Sequence, residues 1–263
     1  MESHTLSPEK LKELKSRQER ILQSLARRIR EKSLIIEGIS WQTPLFKHYD
    51  QGNALRYFLK QHQLYEYLDA FPVNPGFSAS YSQKTLFHSK SLGCIHILAY
   101  LPWASCLQTP PSFPLLSRKE FETQLLSTLI FSKGLQLIVI YSSSGFAPDL
   151  LEHQEGSQEG IPYQLYLISD TAQAFWVSGK SSGLRNLFDP EEPDEKIQRL
   201  QRNIEKHKKL AVRGGYVPLK ELEQEWGIPQ FQLRAYLQEI LPHLVGFQLE
   251  EVRDTSILKR SLR

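Results

Sequence analysis

The N-terminal part of the chain carries apolar side chains at helical spacing on an otherwise polar background. Ser7, Pro8 and Glu9 have the order of a helix start: a capping side chain, a proline in the first turn and an acid near the positive end of the dipole. The predicted helix runs to about Ser33, and one of its faces is apolar apart from Gln18. The apolar positions of this face are Leu11, Leu14, Ile21, Leu22, Leu25 and Ile29.

Strand patterns occupy the middle of the chain. Residues 94–101 form an apolar run, and the β-branched run at 135–141 is typical of an interior strand. Between them, Ser117 and Glu120 form a capping box for a helix that we expect to end near residues 133–134. Because a helix separates the two strands, the pattern predicts a parallel pair with a right-handed crossover.

Alternating patterns at 162–169 and 172–178 predict a hairpin, so the middle part is expected to be a small mixed sheet carrying one or two helices. The surrounding segment 71–116 is rich in proline and contains no acidic residue. Apart from its one apolar run, we predict that it is loop, including an extended arm across the surface. Residues 156–160 are also predicted to be an exposed loop.

Short helical and strand patterns alternate in the C-terminal segment. Gly214 and Gly215 interrupt a polar helix, because glycine tolerates backbone angles that end one. The elements predicted after them are a strand at 216–217, helices at 219–226 and 229–241, and paired strands at 247–252 and 257–258.

This order of helix, turn, helix and hairpin resembles the winged-helix superfamily. The resemblance implies that the second helix of the pair would enter the major groove of DNA. Gln230 and Arg234, with Gln232 and Gln238, are the side chains of that helix that can contact base edges. Residues 213–263, however, contain seven basic and seven acidic side chains, which favours a weak DNA contact or a protein contact instead.

The complete pattern predicts an α+β protein with a long N-terminal helix, a central small mixed α/β sheet domain and a C-terminal winged-helix-like domain. The predicted domains are 1–37, 38–189 and 194–263, the last including a basic helix at 195–212. The boundary is placed at the acidic, proline-bearing linker 189–194.

Positive charge is concentrated on two helices. Residues 9–32 hold nine basic and four acidic side chains, although the net charge of the whole chain is only +3. Phosphate or an acidic protein surface is the kind of partner that such a surplus attracts, and a solvated helix face is the alternative. The basic candidates for nucleic-acid contact are Arg27, Arg28 and Arg30 on the first helix and Lys206, Lys208 and Lys209 on the second.

Other features exclude some classes of protein. No apolar run reaches the roughly 18 residues of a membrane helix, and the N-terminus lacks an apolar secretory signal, so a cytoplasmic protein is expected. Cys94 and Cys106 form no metal or redox pattern, and no cofactor is expected. His96, within an apolar run, is predicted to be a hydrogen-bonded core histidine.

A cluster near 142–153 is the one candidate for chemistry. Ser142 follows the interior strand, and Asp149, Glu152 and His153 come shortly afterwards, followed by Glu155 and Glu159. The serine lacks the frame of a nucleophile elbow, and the spacing of the acids matches no metal template.

We therefore expect a non-enzymatic regulatory or scaffolding protein, associated with nucleic acid through its basic helices and winged-helix-like domain. A protein–protein interaction adaptor without nucleic-acid binding is the alternative hypothesis, and an enzyme with a site near 142–153 is the third. A protein partner is predicted, nucleic acid stays open, and the pattern gives no oligomeric state.

Overall fold

The chain folds into two compact units in a computed structural model. The first unit comprises Met1–Ser169 and Val177–Pro190, and the second comprises Asp170–Trp176 and Glu191–Arg263. The abundance of both helices and strands confirms the α+β class. The structure describes residues 7–36, 38–49, 52–70, 76–84, 88–102, 105, 114–170, 175–226, 228, 230–253 and 255–261.

The first part of the chain contains one long helix, several short helices and a sheet. The helices are α1 (Pro8–Glu31), α2 (Gly52–Gln61), α3 (Arg118–Glu120), α4 (Pro148–Leu151) and α5 (Ser182–Phe188). The strands are β1 (Leu34–Ile36), β2 (Ile39–Trp41), β3 (Leu45–Tyr49), β4 (Gly76–Lys84), β5 (Ser89–Tyr100), β6 (Leu135–Ser142), β7 (Glu155–Gln158), β8 (Ile161–Asp170) and β9 (Phe175–Ser178). Strands β1 and β2 form a hairpin of their own, and a short 3-10 helix covers Tyr65–Tyr67.

The sheet has seven strands in the order β3-β4-β5-β6-β8-β7, with β9 also paired to β8. Strand β5 runs parallel to β6, and β6 runs parallel to β8, whereas β3, β4 and β7 pair antiparallel with their neighbours. The parallel pair predicted from the runs at 94–101 and 135–141 is thus confirmed. Residues 93–100 of β5 and 136–142 of β6 are all buried, as expected of strands covered on both faces.

Two strands lie where the sequence predicted loop, and both predictions are wrong. In β4, Phe77, Ala79 and Tyr81 alternate with serines and are buried, so a period of two persists in a serine-rich segment. Strand β7 pairs with β8 across a tight turn, where Glu159 and Gly160 have φ angles of 52° and 78°. The other parts of the predicted arm, at 71–75 and 85–87, and the predicted loop at 103–104 and 106–113 lie outside the described residues.

The helix that begins after Ser117 is shorter and less regular than predicted. The capping box with Glu120 is confirmed, but α3 passes into a π turn at Phe121–Leu125 and a 3-10 turn at Leu126–Thr128. The hydroxyls of Thr123, Ser127 and Thr128 donate to main-chain carbonyls three or four residues earlier in the chain. Such bonds compete with the backbone hydrogen bonds of a helix, which accounts for the end of the helix before residues 133–134.

Helix α1 is capped and packed as its pattern predicts. Ser7 accepts a hydrogen bond from the Lys10 amide at 3.3 Å, and the helix ends at Glu31. Leu11 is fully buried in a cluster with Leu59 and other residues of the first unit, so the helix docks by its apolar face. The residues buried along α1 are Leu11, Gln18, Ile21, Leu22, Leu25, Arg28 and Ile29.

The second unit contains helices and a small sheet. Its elements are α6 (Pro193–Lys206), β10 (Tyr216–Pro218), α7 (Leu219–Trp226), α8 (Gln230–Ile240), a 3-10 helix (Leu241–His243), β11 (Phe247–Val252) and β12 (Thr255–Arg260). The strand order is β10-β12-β11, and both pairings are antiparallel. The basic helix predicted at 195–212 ends earlier, because His207 adopts an extended conformation.

The paired glycines are needed at the bend before β10. Gly214 has a φ of 71°, and a Cβ added to Gly215 would lie 1.9 Å from the Lys209 carbonyl oxygen. Buried Val217 and Leu258 pair across β10 and β12, and the buried side chains of α7 and α8 belong to the same unit. In the part of the chain that the structure describes, no helix combines the length and apolar character needed to cross a bilayer.

Candidate nucleic-acid interface

The predicted base-contacting helix, α8, begins against a carboxylate. Gln230 is half-buried, and its backbone amide donates to Glu223 Oε1 at 3.2 Å. The first turn of a helix carries free amides and partial positive charge, and it is the part that attracts phosphate. In this chain an acidic side chain of α7 already occupies that end.

Arg234, the only basic residue of α8, is paired within the chain. Its Nη2 lies 2.9 Å from Glu251 Oε1 on β11, and the Ser256 hydroxyl donates to the same oxygen at 2.6 Å. Both charged side chains are about half exposed, so the pair itself contributes little to stability, on the order of 0–1 kcal/mol. Its effect is to cancel the charge that a base or phosphate contact would use.

The three predicted lysines, at the end of α6 and just after it, differ in their ion pairing. Lys209 Nζ lies 2.6 Å from Glu221 Oε2, whereas Lys206 and Lys208 are exposed, with no carboxylate within ion-pair distance among the described residues. On the hairpin, Lys259 pairs with Glu250 at 3.0 Å. Only two of the three predicted lysines therefore keep an uncompensated charge.

The N-terminal candidates lie on the first unit, and they differ in exposure. Arg28 is only 6% exposed and belongs to the packed face of α1. Arg27 and Arg30 are exposed, and the Arg30 guanidinium lies over the ring of Phe46, 5.1 Å from its centroid. The predicted residues thus fall on two units: Arg27, Arg28 and Arg30 on the first, and Lys206, Lys208, Lys209, Gln230 and Arg234 on the second.

Sequence patterns missed the carboxylates that pair with cations of this unit or cap α8. Glu221 and Glu223 lie on α7, Glu250 and Glu251 lie on β11, and none of them is next to its partner in the chain. Equal numbers of acids and bases indicated a neutral module, but only the fold specifies which acid meets which base.

Ser142, in the region of the third hypothesis, has a structural role at the end of β6. Its fully buried hydroxyl lies 3.1 Å from both the Ser144 hydroxyl and the Gly145 carbonyl oxygen, and it accepts from the Ser144 amide at 3.3 Å. These contacts close the turn after the strand. The described hydrogen bonds of this hydroxyl include none to an imidazole, the usual base for an activated serine.

Three titratable groups of the same cluster have separate partners. His153 Nε2 lies 2.8 Å from the hydroxyl of Tyr163, Asp149 accepts from the Arg118 amide at 3.2 Å, and Glu155 pairs with Lys180 at 2.8 Å. Burial lowers the pKa of His153 and raises the pKa of the Tyr163 phenol. Among the described residues, no group of three or more histidine, cysteine or acidic side chains can hold a metal ion.

An open groove of about 850 Å³ lies beside β7 and β8. Its lining includes Lys133, Lys180, Tyr163 and a single carboxylate, that of Glu155. The third hypothesis requires several carboxylates that converge on a deep pocket near 142–153. This groove instead holds one acid, and that acid is paired.

His96 belongs to a buried hydrogen-bond chain that crosses the sheet. The amide nitrogen of Gln136 donates to the carbonyls of Ser132 and Gly134 at 2.8 and 3.0 Å, so its Oε1, 3.0 Å from His96 Nε2, is an acceptor. His96 Nε2 therefore carries the proton, and Nδ1 accepts from the Tyr49 hydroxyl at 2.6 Å. The prediction of a hydrogen-bonded core histidine is confirmed.

Comparison with models of protein families gives no match, and comparisons with curated proteins and with solved structures give none either. No activity or partner of a related protein therefore bears on this chain. The charges and contacts of its own residues are the observations on which a functional proposal rests.

Proposed function

We propose that the chain is a non-enzymatic regulatory or scaffolding protein whose C-terminal unit is a winged-helix-like module that binds another protein. The order α6, β10, α7, α8 and the hairpin β11–β12 supports the winged-helix assignment. The strand order β10-β12-β11 supports it as well, because the strand before the helix pair joins the terminal hairpin.

The observation that carries the choice of a protein partner is the position of the carboxylates. Glu223 caps the N-terminus of α8, and Glu251 holds the only arginine of that helix. A helix placed in the major groove would bring both carboxylates toward the phosphate backbone, where like charges repel. A module with equal numbers of acids and bases would also neutralise few phosphates, so that few of the counterions condensed on DNA would be released.

Exposed apolar side chains on the second unit support the same proposal. Tyr216 on β10 is 57% exposed, and Val245, just before β11, is 98% exposed. Val212 and Val252 are also exposed large apolar residues. Aromatic and aliphatic side chains of this kind gain more from a protein interface than from the polar backbone of a nucleic acid.

Nucleic-acid association is the second candidate, and one observation favours it. Lys206 and Lys208 are exposed, and no described carboxylate neutralises them. Two cations separated by one residue, at and just after the end of α6, can contact phosphate without any base contact. Such binding would be weak, non-specific and strongly dependent on salt.

A DNA-binding titration of the full chain separates the two candidates. Fluorescence anisotropy with a labelled duplex is measured between about 50 and about 200 mM salt, for the wild type and for the triple variant Lys206→Ala, Lys208→Ala, Lys209→Ala. We expect weak binding that the substitutions barely change, and a complex recovered from native lysate that survives nuclease treatment. Tight binding that falls steeply with salt and is lost in the triple variant would establish nucleic-acid binding instead.

A further inference from the structure

Strand β3 lies at one edge of the seven-stranded sheet, with β4 as its only strand neighbour among the described residues. An edge strand presents backbone amide and carbonyl groups on its outer side that can pair with another chain. At the other end of the sheet, β7 and β9 both pair with β8. Edge strands at either end offer the same kinds of backbone group, so their side chains distinguish them.

The side chains of β7 discourage pairing with another strand more than the side chains of β3 do. The short β7, with the sequence Glu-Gly-Ser-Gln, has no apolar side chain, and Glu155 is paired with Lys180. On β3, Leu45 is 75% exposed and Lys47 is exposed beside it. An exposed leucine on an edge strand is the feature that natural sheets usually avoid.

Positive charge lies close to β3. Arg30 stacks on the half-buried Phe46, and Arg27 precedes it by one turn on the exposed face of α1. In the described part of the chain, no carboxylate lies within ion-pair distance of either arginine or of Lys47. Residues 27–49 contain five basic side chains against two acidic ones, so the surplus is local.

Both faces of β3 combine an apolar side chain with a nearby cation. Leu45 and Lys47 share one face, and Phe46, with Arg30 above its ring, lies on the other. A strand added beside β3 would place its own side chains alternately against these two pairs.

We propose that β3 takes up an extended acidic segment of a partner protein as an additional strand. The backbone of the segment pairs with the outer edge of β3, its acidic side chains meet Lys47 and Arg30, and its apolar side chains cover Leu45 and Phe46. A nucleic acid matches the charge but lacks the backbone groups that an open edge requires. This surface lies on the first unit, so the inference does not depend on what the C-terminal unit binds.

The test uses the full chain and a labelled peptide of about eight residues in which pairs of valines alternate with pairs of glutamates. In an extended strand, this order puts apolar and acidic side chains in turn on each face. Fluorescence anisotropy gives the dissociation constant, and hydrogen exchange reports protection of the amides at 45–49 and at 155–158. We expect saturable binding and new protection confined to 45–49. Absence of binding, or protection at 155–158 instead, overturns the proposal.

Charge-reversal variants test the contribution of the cations. Lys47→Glu and Arg30→Glu are each expected to weaken binding about threefold or more, as for loss and reversal of a partly exposed ion pair. Lys133→Glu makes the same charge change elsewhere on the first unit and is the matched control. It should leave the dissociation constant of the peptide unchanged at about 150 mM salt. Equal weakening by the control indicates diffuse attraction and overturns the proposal. If Arg30→Glu does not fold, the exposed Lys47→Glu decides the outcome.

Two further probes distinguish strand addition from general anion binding. Alternate amides of a bound peptide point toward β3 and away from it. A peptide N-methylated on the amides that face β3 should lose at least about tenfold in affinity, whereas a peptide N-methylated on the other amides should bind as before. Equal binding of both overturns strand addition. Tight binding of polyglutamate or of a single-stranded oligonucleotide, lost in Lys47→Glu and Arg30→Glu, shows a polyanion site and overturns the proposal as well.

Discussion

At the scale of single residues, the buried imidazole of His96 gives the clearest link between contacts and measurable behaviour. Its two nitrogens contact Tyr49 and Gln136 in an arrangement that suits a neutral ring with its proton on Nε2. Burial lowers the pKa of His96, while it raises that of Tyr49 to about 12 and also raises that of Cys94. The neighbouring phenol and thiol therefore stay neutral over the range in which the histidine titrates.

The stability of the chain should fall below about pH 6.5 because of His96. In the unfolded chain the histidine binds a proton near that pH, whereas the folded chain resists protonation until a lower pH. The stabilisation is thus complete above about pH 6.5 and decreases as the pH falls, by at most about 1.4 kcal/mol per pH unit. Denaturant unfolding from about pH 8 to about pH 5 measures this slope.

Comparison with His96→Gln isolates the contribution of this histidine. His153, whose pKa is also lowered, leaves a residual slope of the same sign in the variant. An NMR titration of the intact chain provides an independent measurement of the His96 pKa. A value at or above the ordinary one, or an unchanged slope in the variant, would contradict the prediction.

At the scale of elements, local chemistry decides which parts of the fold could be predicted from the sequence. Helix α1 and the hairpin β11–β12 were predicted because caps and periodicity agree with their final environment. Strand β4 was missed because its serines have the composition of a loop, and the segment after Ser117 ends early because its hydroxyls bond to the backbone. The pairing of Arg234 with Glu251 could not be predicted, since it depends on where β11 folds back.

Removal of the carboxylates at α8 should increase affinity for DNA. The double variant Glu223→Gln, Glu251→Gln removes the negative charge at the first turn of the helix and the one that pairs with Arg234, which is thereby freed. We expect affinity for a labelled duplex at about 50 mM salt to rise about threefold to tenfold over the wild type. The control Glu66→Gln, Glu152→Gln makes the same charge change at exposed positions of the first unit. Equal gains in both variants would show a simple effect of net charge.

At the scale of the whole molecule, the chain does not divide at a single point. The break after Pro190 falls within the acidic linker 189–194, but residues Asp170–Trp176 also belong to the second unit. No local pattern marks that short segment, because its membership depends on contacts with residues distant in sequence. Within the second unit, the Arg199 guanidinium stacks on Phe175 at 5.0 Å and pairs with Glu191 at 2.9 Å.

This arrangement predicts that Phe175 stabilises a helix distant from it in the chain. Phe175→Ala removes a cation–π contact of roughly 0.5–1 kcal/mol from Arg199, together with the apolar packing of the ring. Amide exchange in α6, at 193–206, should accelerate severalfold, while the buried strands β5 and β6 keep their protection. Tyr57→Ala, at an exposed aromatic position of the first unit, is the control and should leave α6 unchanged. Uniform acceleration throughout the chain would mean that Phe175 contributes to global stability and not to the second unit in particular.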